Sequence, residues 1–172
     1  TVITAGGVSA LFAAVWDGSA WAAVGSGMNN AVNALAVDEE GRLVAGGDFT
    51  SAGGGAASYI ALWDGGEWAP LTSGVNGPVH ALTIGDGGEL YVGGDFTGAG
   101  SLEAFHIAGW NGSEWYSLGS GMNAEVHSLD SVGSGGLLAT GRFSIAGDGV
   151  ALHAAKWDGV RWASLGADPG AG

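Results

Sequence analysis

The sequence predicts an all-β protein, a β-propeller of four-stranded antiparallel blades, on three observations. A step of the form W-D-G-x-x-W, with Asn for Asp in one copy, begins at Trp16, Trp63, Trp110 and Trp157, so it recurs every 47 residues and takes up all eight tryptophans. A fixed period of this length marks an array of one supersecondary unit. Within each period four short apolar or alternating stretches are separated by Gly- and Asp-rich turns, which is the size of one propeller blade. Glycine accounts for 36 of the 172 residues and interrupts every candidate helix, while Val, Thr, Trp and Tyr favour strands.

Taken in order, residues 1–25 form an outer half blade: a strand over 10–16, an Asp17-Gly18 turn and a strand over 20–24. Glycine accepts the positive φ that such a turn demands, and Asp bonds nearby backbone amides. Trp16 then stands opposite Trp21, a cross-strand aromatic pair worth about 0.2–1 kcal/mol. Residues 26–72 make the first full blade, with strands over 31–37, 42–47, 58–63 and 67–71. The stretch A-V-N-A-L-A-V at 31–37 is apolar almost throughout, as expected of an innermost strand covered on both faces. Residues 48–57 are read as a Gly-rich loop. The second blade, 73–119, repeats this with strands over 79–84, 89–94, 105–110 and 114–118. The third, 120–166, has strands over 126–132, 137–141, 152–157 and 161–165. Residues 167–172 break the pattern and are read as a tail. Fourteen strands in a half blade and three blades do not close a ring. The expectation is that further blades complete it, from residues before Thr1 or from another chain.

Composition narrows the function classes. With 17 acidic and 4 basic residues the net charge is −13, which disfavours nucleic acid and anionic membrane surfaces, both of which need clustered Lys and Arg. No apolar run approaches the about 18 residues of a membrane span, so no membrane insertion is expected, and any export signal is expected to have been removed or to lie outside the segment. The chain has no cysteine, which removes disulfides, thiolate metal sites and thiol nucleophiles.

The motifs W-D-G-x-x-W, S-G-M-N, V-x-A-L and G-G-D-F-T together resemble a family of bacterial β-propeller repeats, distantly kelch-like and galactose-oxidase-like, found in exported and surface-attached proteins. Similar repeats occur in a fungal cortical polarity marker. The resemblance spans residues 2–166 and implies a secreted or cell-surface binding or scaffold module with no reaction attached. Copper-radical chemistry of the galactose-oxidase type needs a cysteine-crosslinked tyrosine, which a cysteine-free chain lacks.

Candidate sites separate by phase, because a residue repeated in every copy serves the blade, whereas a site breaks the repeat. Asp17, Asp64, Asn111 and Asp158 share the hairpin-turn phase and read as structural. His80 and His127 match Asn33 on the innermost strand; His106 and His153 match Phe12 and Tyr59. All four histidines read as hydrogen-bonded between blades, and no metal site is expected. Asp130 stands where Ala36 and Thr83 do and is singled out as a one-off.

Alternating strand direction puts the fourth-to-first and second-to-third loops on one rim. That rim carries Asn29, Asn76 and Asn123 with Asp48, Asp95, Arg142 and Asp148. Its amides, carboxylates and guanidinium suit sugar hydroxyls or a protein partner. The opposite rim, with the W-D-G turns and the polar turns at 38–40 and 86–88, reads as solvated hairpin ends. The resulting expectation is an extracellular binding or scaffold propeller with a carbohydrate or protein ligand on the Asn/Asp/Arg rim, and no cofactor. Two alternatives stand beside it: a hydrolase or lyase at the channel mouth using Asp95, Asp130 and His127, and a purely structural spacer of a surface protein.

Overall fold

The structure is a computed structural model that describes residues 4–166; the tail at 167–172 and the first three residues of the half blade lie outside the described residues. Three four-stranded antiparallel sheets follow one another along the chain. The first comprises Val32–Val37, Leu43–Gly47, Ile60–Trp63 and Trp68–Pro70; the second Val79–Ile84, Leu90–Gly94, Ile107–Trp110 and Trp115–Tyr116; the third Val126–Ser131, Leu137–Gly141, Ala154–Trp157 and Trp162–Ser164. Within each sheet the strands lie in chain order. Ala14–Trp16 pairs with Trp21–Ala23 as a two-stranded half blade ahead of them. The first strands of successive blades lie side by side, so they form the inner edge and the second tryptophan strands the outer.

The tryptophan step works on two scales. Locally, Trp63 is in register with Trp68, Trp110 with Trp115 and Trp157 with Trp162. The ring centroids in those pairs are 5.4, 5.3 and 5.3 Å apart with the planes tilted, a favoured geometry for aromatic pairs. The second tryptophan also reaches back to the preceding repeat. Trp68 Nε1 donates to the Val24 carbonyl at 2.9 Å, Trp162 Nε1 to the Leu118 carbonyl at 2.9 Å, and Trp115 Nε1 to Thr72 Oγ1 at 3.1 Å. The step therefore pins neighbouring blades together at their outer ends. The turn inside it is held by its acidic residue: Asp64 Oδ1 accepts from Gly66 N and Glu67 N, and Asn111 makes the same pair of bonds.

Packing between blades is apolar and close. Phe49, Phe96 and Phe143, one per blade at a single phase, are almost wholly buried. Gly46 and Gly93 face the next blade so closely that a Cβ there would lie 2.4 Å from Val79 Cγ1 and 2.7 Å from Val126 Cγ1 respectively. Only glycine fits both places.

The stretch read as a Gly-rich loop at 48–57 is corrected by the structure. It contains a hairpin, Ser51–Ala52 with Gly55–Ala56, and its counterparts are Gly98–Ala99 with Leu102–Glu103 and Ile145–Ala146 with Gly149–Val150. Thr4–Ala5 with Val8–Ser9 repeats it in the half blade. In each full blade the fourth-to-first loop bridges to this hairpin, Met28 to Ala52, Val75 to Ala99 and Met122 to Ala146. The two loop classes thus share one rim.

Candidate functional site

The inner strands each carry one extra residue. Val79 pairs with Gly94 but Ala81 with Gly93, which leaves His80 as the bulged residue. The same shift singles out Asn33 between Val32 and Ala34, and His127 between Val126 and Ser128. A β-bulge interrupts the ladder and re-aims a side chain, and bulges concentrate at sheet rims and beside sites. Here three bulges present Asn33, His80 and His127 where the inner strands begin at the loop rim.

Around them the blades differ. In the first, Asn33 Nδ2 donates to Asp48 Oδ1 at 2.9 Å and to the Val79 carbonyl of the next blade at 3.0 Å. In the second and third, a single carboxylate draws the histidines together. Glu125 Oε2 lies 3.4 Å from His127 Nε2 and 3.7 Å from His80 Nε2, and its Oε1 lies 3.2 Å from the Arg142 guanidinium. The His80 and His127 rings meet edge to face at 5.7 Å. Burial pushes the Glu125 carboxyl up, but the hydrogen bond from His127 and the nearby Arg142 and histidine groups outweigh it and hold it below the usual carboxylate range. Arg142 N also donates to the Glu125 carbonyl at 3.0 Å, so backbone and side chains fix the pair together.

The rim residues named from sequence fall into separate groups. Asn29, Asn76 and Asn123 clasp the loops: each Oδ1 accepts two backbone amides of the hairpin, as Asn29 does from Thr50 N at 2.9 Å and Ser51 N at 3.0 Å, and each Nδ2 donates to a hydroxyl. Both acceptor positions of each amide oxygen are thereby used. Asp48 is engaged by Asn33. Asp95 remains 60% exposed in its side chain, with His106 Nδ1 3.7 Å away, and Arg142 is 75% exposed. Asp148 accepts from Ser120 Oγ at 3.1 Å in the outer part of the rim. Asp130 is exposed farther along the third inner strand, and among the described residues no hydrogen bond or ion pair joins it to His127 or Asp95. The histidines divide as well. His106 and His153 have left-handed backbones, with φ of 63° and 65°, and their Nδ1 atoms lie 3.2 and 3.1 Å from the Gly94 and Gly141 carbonyls of their own blades. Only His80 and His127 lie across a blade boundary.

Glu125 was not picked out by sequence reasoning, although it breaks the repeat where Ala31 and Pro78 stand. The same phase test that singled out Asp130 finds it. Among the described residues no group of three His, Asp or Glu side chains is placed to hold a metal ion.

No curated protein and no solved structure matches the chain. A family model described as the Rax2 C-terminal beta propeller domain matches residues 67–170, more than half of the sequence. With its blades, repeated steps and shared loop rim, the chain belongs to that β-propeller family.

Proposed function

We propose that this propeller is an extracellular binding or scaffold module, exported or held at a cell surface, whose ligand sits on the loop rim over Glu125, Arg142, His80 and His127. The observation that carries this reading is the convergence of two blades on one carboxylate. Three of the chain's few basic or imidazole side chains gather there in an otherwise acidic protein. Exposed Asp95 and Arg142 supply acceptors and a planar donor fork at the edge, a combination suited to vicinal sugar hydroxyls, or to a polar protein loop. The glycan reading is preferred because the donors and acceptors are interleaved over a short distance.

A panel of immobilised neutral and acidic glycans tests it, with the chain and its Arg142→Ala and Glu125→Gln variants. Binding to a glycan class that falls about tenfold or more in both variants supports the site. Retained binding in both variants moves the ligand elsewhere. Silence across the panel, together with no partner recovered by surface crosslinking, makes the segment a structural spacer.

A further inference from the structure

On the rim opposite that site, the first and second blades leave a cleft between them. It has a volume of about 250 Å³, and its floor is apolar, formed by Val44, Leu62, Leu71, Ile84, Leu90 and Trp110. Its mouth is acidic, with Asp38, Glu39, Glu40 and Glu89 against a single cation, Arg42. Arg42 is already occupied, bonding Asp38 at 2.7 Å and Glu40 at 3.1 Å. Glu39 and Glu89 are left without a cationic partner among the described residues.

The corresponding space between the second and third blades is closed, and the sequence says how. Where the first blade has Val44, Leu62 and Ala69, the second has Tyr91, Gly109 and Tyr116. Tyr116 lies directly over Gly109, where a Cβ would come within 2.2 Å of its ring, and meets Tyr91 edge to face at 6.4 Å. Burial pushes the Tyr116 phenol above its ordinary value, as expected of a ring that fills a desolvated gap. The mouth is closed too: Ser134 N donates to Asp86 Oδ2 across the two blades at 3.0 Å. One interblade space is filled by two tyrosines, while its neighbour keeps smaller residues and remains open. Ala22, Ala69 and Ala163 share the Tyr116 phase, so the filled gap is the departure and the open cleft is what the repeat's small residues leave; in a molecule of close-packed interfaces an open, partly apolar space of this size suits an occupant.

We infer that this cleft docks a basic, apolar peptide segment of a partner protein, an aliphatic or aromatic side chain entering the floor with an adjacent Lys or Arg against Glu39 and Glu89. Charge complementarity selects the occupant. An apolar side chain matches the floor, and a flanking cation meets a mouth with three more carboxylates than cations. An acidic segment would be repelled at the mouth, and a neutral one would leave Glu39 and Glu89 without a cation. The net charge of −13 adds long-range attraction for such a segment. This site is independent of the rim proposed above and shares no residue with it.

The test uses a fluorescent peptide in which one Leu or Trp is flanked by lysines, titrated against the whole chain by anisotropy. Two control peptides carry Glu for Lys, or Ala for the apolar residue. The triple variant Val44→Tyr, Leu62→Gly, Ala69→Tyr copies the filled cleft into the open one. The double variant Glu39→Gln, Glu89→Gln alters only the mouth and keeps the inference testable if the triple variant does not fold. Saturable binding of the basic apolar peptide, at least tenfold weaker in the filled variant and about threefold or more weaker in the mouth variant, is the expected result, with a steep decline in salt. Equal binding of the Glu peptide, unchanged binding in the mouth variant, or no binding of the basic peptide at millimolar concentration overturns it.

Discussion

The two outward faces of this array are built to opposite rules. On the first blade, the side turned away from the second presents Leu35 and Val37, which are 56% and 61% exposed. On the third blade, the side turned away from the second presents Ser128, Asp130, Thr140 and Lys156, all exposed. At the same phases the first and second blades place Ala34 and Ala81, Ala36 and Thr83, Gly46 and Gly93, Leu62 and Gly109. The first face is covered by the half blade only at its outer part and is an apolar packing surface left bare at the inner strand; the other carries polar or charged residues at these four phases. Thr140 is the most informative. Its counterparts are glycines because a valine of the next blade presses within 3 Å of where a Cβ would stand.

The comparison can be broken most directly at those glycines. Gly93→Thr copies the third blade's residue into a closed interface and is expected to cost about 1–3 kcal/mol through overpacking against Val126, read by urea denaturation. Thr140→Ala, at the same phase on the open face, is expected to stay within about 0.5 kcal/mol. Near-equal effects would mean that the two faces are not different in kind.

The tryptophans sharpen the contrast at the outer edge. Trp162→Phe removes the donor to the Leu118 carbonyl in a buried site and should cost about 1–2 kcal/mol. Trp21→Phe acts on a ring that is 41% exposed and should cost less than half as much by the same assay. At the apolar face, Leu35→Lys with Val37→Lys should change stability by only about 0.5 kcal/mol. It should reduce self-association measured by light scattering at high concentration, whereas Thr140→Ala leaves association unaltered.

The smallest effect separates the turns. Backbone amide donors hold the carboxyls of Asp17, Asp64 and Asp158 below the usual range. Their folded-state pKa values lie below the unfolded ones, so their contribution is present above the unfolded value and is lost as the pH falls through the folded one. Asn111 makes equivalent bonds without titrating. Asp64→Asn with Asp158→Asn should therefore flatten the loss of stability below about pH 4 while leaving stability near pH 7 almost unchanged, as measured by urea midpoints across that range.

The 47-residue phase located each sheet and put Trp63 opposite Trp68, because a hairpin turn fixes register locally and needs no distant partner. The small hairpins at Ser51–Ala52 and its equivalents were hidden, since two-residue strands draw their order from Met28 and its counterparts on another loop. The clasping asparagines were visible as conspicuous polar residues, but their loop partners were not, and so they resembled free rim donors. Glu125 is legible as a residue out of phase, standing where Ala31 and Pro78 do, but nothing local marks the histidine that it meets on another blade.

By itself the sequence determined the blade, its period, its turns and the acidic charge, because these follow from local backbone preference and from repetition along the chain. Only the tertiary structure decided which polar residues meet. His80 and Glu125 are 45 positions apart and come together because two inner strands lie side by side. Whether an interblade space is open depends on Val44 and Leu62 in one place and on Tyr116 over Gly109 in another. Both outcomes are set by packing across a blade boundary, where a side chain's neighbours come from another repeat and no local pattern records them.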